Sequence, residues 1–92
     1  MTIFMVNMEK EKAQFIFKLA YSKKNWGAKY DRLEHFKRFP NLKKIIKDLE
    51  NIGWLIVKKK TNYTGISLNP KHKKEIIEFI EKYLPHLRGI IR

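Results

Sequence analysis

The chain has no cysteine, a single glutamine, three prolines and four glycines. Without cysteine there is no disulfide frame and no thiolate nucleophile, a composition that suits a reducing compartment. No apolar run approaches the roughly 20 residues of a membrane-spanning helix, and Ile3 to Val6 is too short for the apolar centre of a signal peptide. These absences lead us to expect a soluble, cytoplasmic protein. Acidic residues are also scarce: 9 Asp and Glu stand against 21 Lys and Arg, for a net charge of +12. Such an excess repels itself in the folded state unless a polyanion offsets it, so the expected partner is negatively charged. A heat-adapted composition would balance its lysines with glutamates, and this one does not.

What is present is enough for one core. At 92 residues, 43% of them hydrophobic and 13% aromatic, the chain fits a single small globular domain and is too apolar for a disordered one. Residues 9–22 lack Gly and Pro and place Phe15, Ile16, Leu19 and Ala20 at helical spacing. Ala13, Phe17 and Tyr21 widen that apolar face to about two thirds of the circumference, which predicts a central helix contacted from several sides. Residues 23–29 form a connector with Asn25 and Gly27 as breakers and Trp26 as a lid on the core.

A second, shorter helix is expected over 30–39, with Leu33, Phe36 and Phe39 inward and Pro40 ending it. Asn41 is expected to cap a third helix, Leu42 to Ile52, which buries Leu42, Ile45, Ile46, Leu49 and Ile52 and stops at Gly53. Trp54 to Lys60 and Ile66 to Leu68 read as strands around a hairpin loop, Thr61 to Gly65. Asn69 and Pro70 open a fourth helix whose apolar face carries Ile76, Ile77, Phe79, Ile80, Tyr83 and Leu84, and Pro85 breaks it.

In the order helix, helix, turn, helix, hairpin, helix, the run LKKIIKDLENIGWLIVKKK followed by ISLNP resembles a winged helix-turn-helix DNA-binding domain of the archaeal and bacterial transcription-regulator type. The likeness covers about residues 9–84 and implies an α+β fold, with the third helix in the major groove and the hairpin as a lysine-rich wing. The sequence departs from that pattern at HFKRFPN, which is bulky where the family carries small residues between its second and third helices.

The candidate contacts follow. The N-terminal half of a groove-bound helix lies nearest the base edges, which selects Asn41, Lys43, Lys44 and Lys47. On a helical wheel these lysines lie roughly opposite the apolar stripe. Trp54 to Val57 is apolar on both faces, whereas from Lys58 onward neither face is, so Lys58, Lys59, Lys60, Asn62 and Tyr63 are expected on a ribbon projecting toward phosphates and the minor groove. Arg38 frames the footprint, with Lys37 and with Lys71, Lys73 and Lys74 as outlying cations. Lysine without Arg in the third helix implies more affinity than sequence discrimination.

His35, His72 and His86 lack metal-ligand spacing, and no Gly-rich phosphate loop or serine elbow is present, so neither an enzyme nor a cofactor is expected. Asp31 and Glu34 beside Arg32 and Lys37 read as surface pairing. The apolar face of the fourth helix, with Ile3 to Val6 and Ile90 to Ile91, suggests a homodimer. Two other readings compete: a winged helix used for protein contact, anchored by Trp26, Trp54 or Tyr63, and an RNA binder with Tyr63 stacked on an unpaired base.

Overall fold

The computed structural model describes residues 2–27 and 29–91, and describes side chains within the first helix from Met8 onward. The expected apolar segment Ile3 to Val6 therefore has its side chains outside the described residues. Helix α1 (Thr2–Phe17) continues directly into a wide π turn, Lys18–Ser22, so the helix begins seven residues before the expected Glu9. Ala13, Phe15 and Ile16 of α1 and Leu19 and Ala20 of the π turn are buried, as a central helix requires, while Tyr21 is 50% exposed and stacks on Phe17. Among the described residues no helix is long and apolar enough to cross a membrane.

The expected second helix does not form. Asp31–Arg32 is a short strand, β1, and Leu33–Phe36 is one 3-10 turn. The reason lies at both ends. Pairing of β1 with the strand opposite it holds Arg32 extended, at φ −73° and ψ 132°. At the other end Pro40 disfavours the helical region for Phe39. Only Leu33 to Arg38 is left between them, too short to offset the cost of helix nucleation. The bulky HFKRFPN stretch instead buries Phe36 and packs its ring and that of Phe39 edge-on against Phe15, at 5.2 and 5.7 Å between centroids. Lys18 Nζ lies 5.1 Å from the Phe36 centroid.

Helix α2 (Leu42–Asn51) is where the apolar spacing placed it. Asn41 precedes it but caps nothing with its side chain: it sits in the left-handed region at φ 57°, and its Nδ2 donates to Glu11 Oε1 at 2.9 Å. Asparagine tolerates that conformation better than most residues, so the residue type serves the backbone turn after Pro40 rather than a cap. Ile45, Ile46 and Leu49 are buried, but Ile52, expected inward, is 54% exposed because it lies past the last helical turn. Gly53, at φ 82°, donates to Glu50 O while Trp54 N donates to Leu49 O, each at 3.0 Å. These paired bonds close the helix in the way that glycine makes easy.

Strands β2 (Leu55–Lys59) and β3 (Thr64–Leu68) form an antiparallel hairpin, and β1 joins the far side of β3, for the order β1-β3-β2. Both strands are shifted from expectation: β2 is one residue shorter at each end, and β3 starts two residues earlier, inside the expected loop. Leu55 faces Leu68, and Lys59 faces Thr64 at the last pair. Gly65 lies between Lys58 and Arg32, where an added Cβ would stand 2.8 Å from Tyr30 Cβ. Close approach of that ring explains a glycine in a strand interior.

Asn69 accepts from Lys71 N at 3.0 Å and donates to Gly53 O at 2.9 Å, tying the end of α2 to the start of the last helical segment. Pro70–His72 is a 3-10 turn leading into α3 (Lys73–Tyr83), and Pro85 opens a final 3-10 turn. Ile76, Ile80 and Leu84 are buried in the domain's own core against α1. Among the described residues the domain is thus a small α+β unit of three helices and a three-stranded antiparallel sheet.

The connector between α1 and β1 is held by a buried amide. Asn25, fully buried, donates from Nδ2 to Asp31 Oδ2 at 2.8 Å and to Ile66 O at 3.0 Å. Its Oδ1 accepts from Ser67 Oγ at 2.8 Å, and that hydroxyl in turn accepts from Gly27 N at 2.9 Å. Every polar atom of the buried amide has a partner, as burial of polar groups requires.

Candidate nucleic-acid interface

Reduction of the second helix to one turn leaves part of the core uncovered. Between that turn, α2 and the hairpin lies a cleft of about 680 Å³, lined among others by Leu33, Leu42, Ile46, Val57 and Tyr63. Its remaining lining includes Lys37, Lys43, Lys47 and Lys59, with Glu34 and Glu50. Four cations and two carboxylates therefore surround an apolar floor.

The helical wheel accounts for the α2 wall. Taking Leu42 as zero, Ile46, Glu50, Lys43 and Lys47 follow within roughly 140° on one side of the buried stripe. Lys44 and Asp48 fall on the other side, toward α1. There Lys44 Nζ is 3.1 Å from Asp48 Oδ1, and Lys12 Nζ is 3.1 Å from Asp48 Oδ2 and from Glu9 Oε1. Hydrogen bonds from Lys12 and then Lys44 hold the Asp48 carboxyl below its ordinary range. Burial works against the charge on Lys12, but its bonds to Glu9 and Asp48 hold that ammonium above its ordinary value. Lys44 thus belongs to an ion-pair arch joining α2 to α1, apart from the cleft that holds Lys43 and Lys47.

The hairpin divides in the same way. Side chains alternate across a strand, so Val57 and Lys59 line the cleft while Lys58 turns to the opposite face, its Nζ 5.4 Å from the centroid of Tyr30. Lys58, Lys59 and Lys60 are all exposed. The ribbon extends beyond the three-stranded part by the Lys59–Thr64 pair and the turn at residues 60–63, closed by Lys60 N donating to Tyr63 O at 2.8 Å. That projection is shorter than the alternation in sequence suggested, because β1 pairs as far as Gly65. Asn62 is exposed in the turn, whereas Tyr63 is half-buried with the Arg32 guanidinium 4.5 Å from its ring centroid. Arg38 is exposed after the 3-10 turn, and Asn41 is engaged with Glu11.

No family model, curated protein or solved structure matches the chain. Of the residues selected from sequence, Lys43, Lys47, Lys59 and Tyr63 share one cleft; Lys44 and Lys58 face elsewhere, and Arg38, Lys60 and Asn62 are exposed outside the lining. Two features escaped the sequence reading, the apolar floor and the Arg32–Tyr63 stack, and Glu34, expected only in surface pairing, lines the cleft together with Glu50. The first had a signal in Leu42 and Ile46, which lie at the edge of the buried stripe nearest Lys43.

Asp31 is not a surface partner of the neighbouring cations, being bonded to Asn25, but Glu34 does pair with Arg32, at 3.7 Å. His72 Nδ1 lies 3.3 Å from Glu75 Oε2. Trp26 packs on the core with Lys73 Nζ 5.4 Å from its ring centroid. Among the described residues no three His, Asp or Glu stand close enough to hold a metal ion.

Proposed function

We propose that this domain is a winged helix that binds double-stranded DNA and acts as a small transcriptional regulator or DNA-associated accessory protein in the cytoplasm. Element order and the β1-β3-β2 pairing are compatible with that fold. The observation that carries the functional reading is that Lys43 and Lys47 of α2 and Lys59 of the hairpin line one cleft, on a chain of net charge +12. In this reading α2 enters the major groove, Lys43 and Lys47 reach phosphates and guanine acceptors, and Lys59, Lys60 and Asn62 follow the adjacent backbone. Arg38 extends the footprint. Lys44 and Lys58 contribute long-range attraction only, since their side chains are directed away from the cleft. No catalytic role enters this reading.

Pairing of two copies through α3, if it accompanies DNA binding, would use Trp54, Phe79 and Tyr83. Their rings are only partly buried and stand 5.4 Å and 4.9 Å apart in succession. Sedimentation showing monomer alone at tens of micromolar, a rough choice from typical affinities, would exclude that arrangement.

The test is a titration of labelled duplex at several salt concentrations. With about six phosphates neutralised, affinity should fall on the order of a thousandfold between 50 and 200 mM salt. A salt-independent affinity contradicts the proposal.

A further inference from the structure

We infer that the cleft between the 3-10 turn, α2 and the hairpin seats an unpaired nucleobase at a duplex end or junction; this rests on the DNA-binding reading above. Duplex DNA offers phosphates and base edges, and neither needs an apolar floor. This cleft has one, in Leu33, Leu42, Ile46 and Val57, with Tyr63 and Thr64 completing the lining at its hairpin end. A ligand that fits must combine negative charge with a flat apolar body. An unpaired nucleotide does so: its phosphate meets Lys43, Lys47 or Lys59 while its base leaves water.

The carboxylates help to choose between occupants. Glu34 and Glu50 in the same lining would repel the acidic side chains of an amphipathic peptide, the other ligand that a lysine-edged apolar cleft could take. Toward a base they are acceptors for exocyclic amino groups. Size points the same way. At about 680 Å³ the cleft is of the order that holds a small-molecule-sized group, enough for a base and its sugar but short for a helix several turns long. The Tyr63 ring, with Arg32 4.5 Å from its centroid, lies on the Gly65 side of the sheet, opposite Val57 and Lys59, so the surface offered to the base is the aliphatic floor.

The experiment compares a blunt duplex with the same duplex carrying a short adenine overhang, in which the first unpaired base is 2-aminopurine. We expect the overhang to raise affinity about tenfold, the order of one base seated against an apolar surface, and the 2-aminopurine emission to change on binding. The cleft is then filled by Thr64→Trp, a substitution that suits a strand position, and separately by Leu33→Trp, each checked for folding by its melting transition. In a folded filled variant the ratio of overhang to blunt affinity should fall to about one, with loss of the emission change.

Equal affinity of the native protein for both duplexes overturns the inference and leaves the duplex reading standing. Binding to neither overturns both. A filled variant that keeps the preference shows that the base sits elsewhere and also overturns it, as does displacement of the overhang preference by an acidic amphipathic peptide at lower concentration than by an adenine oligonucleotide.

Discussion

Replacing Asn25 by Ala tests how the sheet that forms one wall of the cleft is held. Asn25 Nδ2 donates to Asp31 Oδ2 and to Ile66 O, and Oδ1 accepts from Ser67 Oγ, so the substitution removes three hydrogen bonds at once. Asp31 is half-buried and can turn to water. Ser67 is fully buried, and its other acceptor, Leu68 O, is at 3.5 Å, near the limit of a useful bond. The Ile66 carbonyl is buried as well. Two buried groups therefore lose a partner at about 1–3 kcal/mol each, giving an expected loss of about 2–6 kcal/mol. That is a large part of the stability of a small domain.

Asn25→Asp separates the donor from the shape. Its carboxylate still accepts from Ser67, but it replaces an N–H donor beside the Asp31 carboxylate. Two such acids in one site raise the affinity for a proton. With the folded-state value raised, the folded state binds more protons than the unfolded chain at intermediate pH, so the penalty should shrink as pH falls from 7 toward 4. Urea unfolding followed by tryptophan fluorescence measures both variants. A loss under about 1 kcal/mol in Asn25→Ala, or an Asn25→Asp penalty independent of pH, would refute the network as the fastening of β1 to β3.

Three further outcomes are expected. Leu49→Ala, at a fully buried position, should cost about 2–5 kcal/mol, whereas Ile52→Ala, at a residue 54% exposed, should stay within about 0.5 kcal/mol; similar costs in urea titrations would contradict the placement of Ile52. Gly65→Ala should lower stability by about 1–3 kcal/mol, because its Cβ would stand 2.8 Å from Tyr30 Cβ, and an unchanged melting temperature would show that the approach is not close. Asp48, whose carboxyl is held below its ordinary value by Lys12 and Lys44, contributes stability present above its unfolded value of about 3.9 and lost as pH falls through the lower folded value; Asp48→Asn should flatten that acid-side decline, and an unaltered acid profile would remove the ion-pair arch from the account.

Local signals were legible in the chain and long-range ones were not. The apolar stripe of α2 at Ile45, Ile46 and Leu49 and the glycine stop at Gly53 each depend on residues within a few positions, and each stands where those residues put it, while Asn69-Pro70 opens a 3-10 turn from which the α-helix follows only at Lys73. Asn25 read as a breaker because its partners, Asp31, Ile66 and Ser67, are six to 42 residues away. Strand β1 was hidden for the same reason. Helical spacing in Leu33 and Phe36 is real, but pairing to β3 and the constraint from Pro40 together overrule it. The cleft follows from that lost helix, so its apolar floor could be recognised only once the fold was known. Lys44 was grouped with Lys43 and Lys47 because all three lie roughly opposite the apolar stripe, and only its pairing with Asp48 beside Lys12 of α1 sets it apart; Lys58 was grouped with Lys59 as part of one basic ribbon, and strand alternation turns the two to opposite faces.

The most direct measurement is the salt slope of duplex binding by the native protein and by a variant with Lys43, Lys47 and Lys59 all changed to Ala. Each phosphate contact contributes about 0.9 to the slope of log affinity against log salt, so the slope should be smaller by about 2.7 in the variant, together with weaker binding at every salt concentration. An unchanged slope and affinity would place any DNA contact away from this cleft and rule out Lys43, Lys47 and Lys59 as the residues that hold the duplex.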